Sequence, residues 1–284
     1  IDKKDIEQRL DAIEELNNNA ITREEIREYL NAVYDLERLM SRVSYQSANP
    51  RDLTAFKTSL SMLPHIHVLL AGMRSELMQD VYDDLDILED LHQLIEYAIE
   101  DEPPIGVRDG GIIKHGYNNE VDTLRAAKTE GKGWLLALEE REKERTGIKN
   151  LRIRFNRVFG YYLEVTNSFK ELVPIEWTRK QTLANAERFT TPELKELEDK
   201  ILNAEDRLFT LEYDLFAAVR EQIASQVERI QRTAKAIARL DMFASLSYVS
   251  MTNRFVRPNI NKKGIINIKN GRHPVVEKIQ NNDL

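Results

Sequence analysis

KNLRIRFNRVFGYYLEVTNSFKELVPIEWTRKQTLANAERFT, Lys149 to Thr190, decides the fold: it is β-patterned and basic in a chain whose flanks are helical and acidic. Leu151, Ile153 and Phe155 alternate with Arg152, Arg154 and Asn156, and Tyr161, Leu163 and Val165 alternate with Tyr162, Glu164 and Thr166. Period-2 alternation marks half-buried strands, and Gly160 between the two runs predicts a hairpin turn. A second pair is expected from Trp177 to Leu183 and from Glu187 to Thr190, separated by Ala184-Asn185-Ala186. Four short strands make a credible antiparallel unit where two alone would be marginal. Eight basic side chains oppose four acidic ones here, so the stretch carries +4 within a chain of net charge −7 and leaves −11 for the remainder. Such asymmetry implies a surface for a polyanion, most simply a nucleic-acid backbone; the alternative is an ordinary solvated sheet.

Working outward, a helix is expected from about Asn118 to Gly147, with Gly131 and Gly133 weakening its middle. Beyond the stretch, Thr190-Thr191-Pro192-Glu193 is a helix start with a threonine cap, a first-turn proline and an early carboxylate. Leu194, Leu197, Ile201, Ala204, Leu208, Leu211, Leu215 and Ala218 then step by three and four, the seam of a coiled coil. Apolar spacing drifts at Val219, Ile223, Val227 and Ile230 and persists to Val249, which predicts one helix spanning roughly 85 to 90 Å at 1.5 Å per residue. Two helices abutting one small sheet are expected to pair antiparallel and carry it at their end.

The first hundred residues read as a helical core. Helices are expected from Asp5 to Leu16, from a capping box at Thr22 and Glu25 through Val43, from Asp52 as N-cap to Pro64, and from about Leu69 to Ile99. His65 and His67 lack companion ligands and read as ordinary surface or core histidines rather than a metal site. The acidic run Asp80 to Asp90 carries leucines in helical register and no loop glycine, so it reads as a solvated helix face rather than a calcium loop. DEPPIGVRDGGIIKHG, Asp101 to Gly116, is a joint with room for a short strand at Ile112 to Lys114, and Ile265 to Ile268 is another candidate strand. There are no cysteines, which removes disulfide and thiol chemistry and fits a reducing cytoplasm. No run of eighteen apolar residues and no signal-peptide core occur, so neither membrane nor export is expected. The chain starts at Ile and reads as a fragment.

Several segments together resemble the bacterial MutS mismatch-repair family: FNRVFGYYLEV (Phe155–Val165), QTLANAERFTTPELKELE (Gln181–Glu198), DGGIIKHGYNNEVDTLR (Asp109–Arg125), NPRDL (Asn49–Leu53) and GRHPVVE (Gly271–Glu277). The resemblance covers essentially the entire chain. It implies a mainly α fold, in which a helical core and a long antiparallel helical lever pair carry a small antiparallel β clamp. The implied parts are core at 1–117 and 235–260, levers at 118–148 and 191–234, clamp at 149–190, and the start of an ATPase domain at 261–284. In the family the clamp touches duplex DNA without reading sequence, and the levers connect it to the ATPase domain. Carried over residue by residue, Arg157, Arg179, Lys180, Asn185 and Arg188 are the first choices for backbone contact, with Arg152 and Arg154 second. Guanidinium and ammonium groups suit phosphate oxygens, and an amide adds a hydrogen bond without selecting a base. Ala184 stands where some relatives carry lysine, which implies a looser grip. Phe159, Tyr161 and Tyr162 are expected in the clamp core.

The family's G-x-x-x-x-G-K-[ST] phosphate loop is absent, as are its mismatch-reading wedge and connector domain. The chain is therefore expected to lack enzymatic activity and to hold no cofactor, ATP and Mg belonging to the parent protein. Implied partners are double-stranded DNA, bound weakly, a second subunit in the parent and other mismatch-repair proteins, in a bacterial cytoplasm at the nucleoid. A helical scaffold without DNA binding remains the alternative; a free-standing enzyme is weaker, because no nucleophile elbow or metal cluster is present.

Overall fold

The computed structural model describes residues 2–33 and 35–282. Among them the chain forms α1 (Lys3–Asn18), α2 (Ala20–Asn31), α3 (Leu36–Ser44), α4 (Pro50–Leu70), α5 (Glu76–Asp84), α6 (Glu89–Ala98) and α7 (Asn119–Thr146). Then come β1 (Arg152–Asn156), β2 (Gly160–Thr166), a 3-10 helix (Asn167–Leu172), β3 (Thr178–Thr182) and β4 (Ala186–Thr190). The chain ends with α8 (Pro192–Ala224), α9 (Val227–Thr252) and α10 (Pro274–Asn282). This is the mainly α fold with one small antiparallel sheet that the patterning implies.

The chain divides into two compact units. One comprises 1–32, 62–87 and 232–284. Its buried side chains include Ala12 and Leu16 of α1, Ile26 of α2, Met78 and Val81 of α5, and Leu240 and Phe243 of α9. Polar ties are specific: Glu15 accepts from the Arg74 and Ser75 backbone N–H groups at 2.6 and 3.1 Å and so caps α5 from outside, since Ser75 makes no side-chain cap itself. Buried Arg23 donates to Ser247 Oγ at 3.2 Å. Asp84 accepts from Arg232 and Arg239 at 2.8 and 2.6 Å, and these guanidinium bonds hold its carboxyl below the ordinary range. His65 stacks on Tyr29 and His67 on Tyr82, with ring centroids 4.9 and 4.1 Å apart, which gives both histidines structural partners.

The other unit comprises 33–61 and 88–231 and contains the sheet. Its α7 and α8 pack on each other and, at 28 and 33 residues, extend about 42 and 50 Å. Asn118 caps α7 by accepting from Val121 N at 3.0 Å, and Gly147 ends it at φ 74°. Thr191 caps α8 by accepting from Leu194 N at 3.1 Å, with Pro192 in the first turn. Gly131 lets the helices approach: a Cβ there would lie 2.5 Å from Ile201 Cγ1, so a residue that reads as a weak point is required by packing.

Several boundaries differ from the sequence reading. The expected 190–249 helix is two helices, because Ser225 and Gln226 form a turn between α8 and α9. The buried face of α8 shifts by one residue at Glu212, from Leu208 to Glu212, Phe216, Val219 and Ile223, while Ala218 is exposed. Glu212 holds a buried position because the joint supplies donors for it. It accepts from the N–H groups of Gly111, Ile112 and Ile113 at 3.1, 3.0 and 3.0 Å and from Arg125 at 2.5 Å. The Ile112–Lys114 strand reduces to a bridge between Ile99 and Ile113. The Leu69–Ile99 helix is broken at 71–75, between α4 and α5, and again at 85–88, where Leu88 sits at φ 52°. Conversely α4 continues through Pro64 to Leu70, since buried Leu63, Ile66 and Leu70 offset the missing backbone bond. Thr22 lies inside α2, and a new cap, Asp35 accepting from Arg38 N at 3.0 Å, starts α3. Asn49 caps α4 while Asp52 returns the bond to Asn49 N, so the two form the reciprocal box. Ile265, Ile266 and Ile268 form no strand; they are exposed and have no paired neighbour.

Candidate nucleic-acid interface

The sheet is ordered β1-β2-β4-β3, so the two predicted hairpins pair through β2 and β4. Asn156 pairs with Gly160, leaving Arg157, Val158 and Phe159 as the turn. Asn156 Oδ1 accepts from Val158 N at 2.7 Å and Gly160 takes φ 76°, the two devices that close a three-residue hairpin loop. Gly160 is thus the first residue of β2 rather than the turn itself.

One face of the sheet is core. Leu163, Val165, Phe189 and Trp177 pack with Ile148 and Leu151 against Leu135 and Leu138 of α7 and Leu194 and Ile201 of α8. Two helix carboxylates clip the strands in place: Glu139 accepts from Ile153 N at 2.9 Å, and Glu198 accepts from Tyr161 N at 2.5 Å. The sheet is therefore seated against the sides of both helices. Tyr161 packs on this core, and its hydroxyl is pushed above its ordinary range by burial, with Glu205 and Glu198 adding to the effect. Tyr162 is buried as expected, whereas Phe159 is 38% exposed at the turn and is not core.

On the other face the register places Arg152 opposite Glu164, Arg154 opposite Tyr162 and Arg188 opposite both Glu164 and Gln181. Arg154 lies 3.4 Å from Glu164, and Arg152 lies 3.6 Å from Glu139. Arg188 is the most confined: it donates to Gln181 Oε1 at 2.8 Å, stands 4.0 Å from Glu164 and lies over the Tyr162 ring at 4.4 Å. Its side chain is only 18% exposed. Arg179 pairs with Phe189 on the core side of edge strand β3 and stands 3.7 Å from Glu187. A bulge between Arg179 and Gln181 contains Lys180, whose Nζ donates to Phe159 O at 2.6 Å.

Arg157 and Asn185 are exposed but lie at opposite ends of β2, about 20 Å apart for seven residues at ~3.3 Å each. Arg157 belongs to the turn beside Glu198. At the other end the β3–β4 loop meets the 3-10 helix, since Asn167 N donates to Asn185 O at 3.1 Å and Asn167 Nδ2 to Ala184 O at 2.9 Å. Asn150 Nδ2 joins the same end by donating to Thr166 Oγ1 at 2.7 Å. Sequence reading thus found the basic stretch but did not separate its face from its two ends. It also missed Glu139, Glu198 and Gln181, whose roles depend on tertiary partners that no local pattern shows.

A family model described as MutS domain III matches residues 1–247. The chain belongs to the MutS family. The MutS relatives that it resembles carry the name DNA mismatch repair protein MutS. That of Lachnoclostridium phytofermentans is 66% identical over 280 residues, covering 99% of this chain and 30% of its own length. Those of Desulforamulus reducens and Caldanaerobacter subterraneus subsp. tengcongensis are 52% and 53% identical, with 99% and 98% of this chain covered. The chain spans 30 to 32% of the length of these MutS relatives. No helix among the described residues is long and apolar enough to cross a membrane.

Proposed function

We propose that this chain is the core, lever and clamp portion of a DNA mismatch repair protein, in which residues 149–190 grip the duplex backbone without reading its sequence. On this reading α7 and α8 are the levers, with 118–148 ascending and 191–234 descending. Residues 1–117 and 235–260 supply the helical core, and 261–284 open the ATPase domain. The carrying observation is a +4 sheet seated on an acidic pair of helices in a chain of the MutS family. Phosphate contact accounts for the charge, and on the arginine-bearing face the Tyr162 ring is covered by Arg188, which argues against base stacking there.

Nucleotide chemistry belongs to the parent. The glycine-rich segment here does not fit a phosphate, because the Gly111, Ile112 and Ile113 N–H groups that could cradle one already surround the Glu212 carboxylate. The parent protein would pair two subunits around DNA and meet other repair proteins in the bacterial cytoplasm.

The test is direct titration of this chain with matched and mismatched 30-base-pair duplexes. Equal, weak affinities are expected, falling steeply with salt by about 0.9 in log–log slope per phosphate contact and fading near 150 mM. Roughly nanomolar, mismatch-selective binding at that salt would overturn the backbone-grip reading, and no binding at ~20 mM salt would favour a bare scaffold.

A further inference from the structure

We propose that the phosphate-binding surface is the rim where three connections meet, with Lys149 and Lys170 as its cations, and not the arginine-bearing face of the sheet. The inference rests on the backbone-grip reading and assigns its contact residues. Three connections converge at this end of β2. They are the Lys149-Asn150 turn, the 3-10 helix from Asn167, and the Ala184-Asn185 loop, tied by the Asn150–Thr166, Asn167–Asn185 and Asn167–Ala184 hydrogen bonds. Lys149, Asn150, Asn167, Lys170 and Asn185 are all exposed, and neither lysine has an ion pair among the described residues. In a 3-10 helix residues three apart eclipse, so Lys170 projects on the Asn167 side and Glu171 on another. The rim therefore offers two ammonium groups beside the amide side chains of Asn150 and Asn167, which their hydrogen bonds hold in place, and the exposed Asn185.

The face offers a different field. Its arginines stand beside carboxylates that are held in the structure: Glu164 is 20% exposed between Arg154 and Arg188, and Glu139 is 12% exposed beside Arg152; on the core side of β3, Arg179 likewise stands beside Glu187, which is 14% exposed. A phosphate approaching any of these guanidinium groups also approaches its carboxylate, and half-buried charges are poorly screened. Arg188 is further committed to Gln181 and Tyr162. Arg157, although unpaired, sits at the end of the sheet held by Glu198. Among the described residues, the rim brings two solvent-facing lysines together without an ion-paired carboxylate beside them, whereas the opposite end offers Arg157 alone, on the turn next to the Glu198–Tyr161 bond.

The experiment uses the full-length protein, with fluorescence anisotropy on a matched 30-base-pair duplex across a salt series. The rim variant is Lys149→Gln/Lys170→Gln, and the face variant is Arg152→Gln/Arg154→Gln. Losing two contacts should flatten the log–log salt slope by about 1.8 and weaken binding about 30-fold at 150 mM salt. The rim variant should show that loss while the face variant stays within about threefold of wild type, and Lys149→Arg/Lys170→Arg should restore binding. Loss in the face variant alone, or equal loss in both, would overturn the rim assignment while leaving the grip intact. No loss in either would overturn the grip reading as well. Unchanged thermal melting in the arginine-restored variant separates charge from folding.

Discussion

Replacing Glu212 with alanine should destabilise the sheet-bearing unit by about 3–5 kcal/mol, the usual penalty for removing one partner of a buried ion pair. Glu212 is 1% exposed, and its loss would strand the N–H groups of Gly111, Ile112 and Ile113 together with the Arg125 guanidinium. Gly110 and Gly111, at φ 75° and 71°, shape the joint around the carboxylate. Gly110 also allows Phe209 close approach, since a Cβ there would lie 2.6 Å from its ring. Glu212→Gln keeps an acceptor but turns an amide donor toward donors, so it should fall between wild type and alanine. Native-state hydrogen exchange at residues 111–113, with urea unfolding, measures both variants. A change below about 1 kcal/mol would show that water replaces the carboxylate and that the joint is not held by it.

Gly160→Ala should cost about 3 kcal/mol. An L-residue at φ 76° carries roughly 1–2 kcal/mol of strain, and a Cβ at this position would overlap the Glu198 carboxylate. That overlap displaces the acceptor of the Tyr161 N–H, a charged-group bond of about 1.5–3 kcal/mol. Because both penalties act on one clip, they should not add independently: Glu198→Ala should cost less in the Gly160→Ala background than alone. Amide protection across β1 and β2 would drop while α7 and α8 keep theirs. Full additivity would contradict the clip.

Elements defined by their own pattern were legible in the sequence. The hairpin around Gly160, the capped start of α8 at Thr191-Pro192 and the seam through Leu194, Ile201 and Leu208 all follow from local spacing. Misreadings arose where a distant group decides. The seam shift at Glu212 depends on donors a hundred residues away, and the break at Leu88 and the cap at Asp35 interrupt apolar periodicity that continues on paper. The same division applies to the site. Charge placed it within residues 149–190, but pairing showed that Arg188 is held inside the face, that Arg179 lies on the core side of the edge strand, and that Arg157 and Asn185 occupy opposite ends.

The central claim is that the sheet grips DNA by its backbone. Its most direct test replaces residues 149–190 of the full-length protein with a short turn joining the two helices, then follows duplex affinity over salt on matched and mismatched oligonucleotides. The account predicts that both affinities fall by similar factors and that the salt slope flattens by about 0.9 for each phosphate contact removed. Unchanged affinity and slope, or a loss confined to the mismatched duplex, would contradict it.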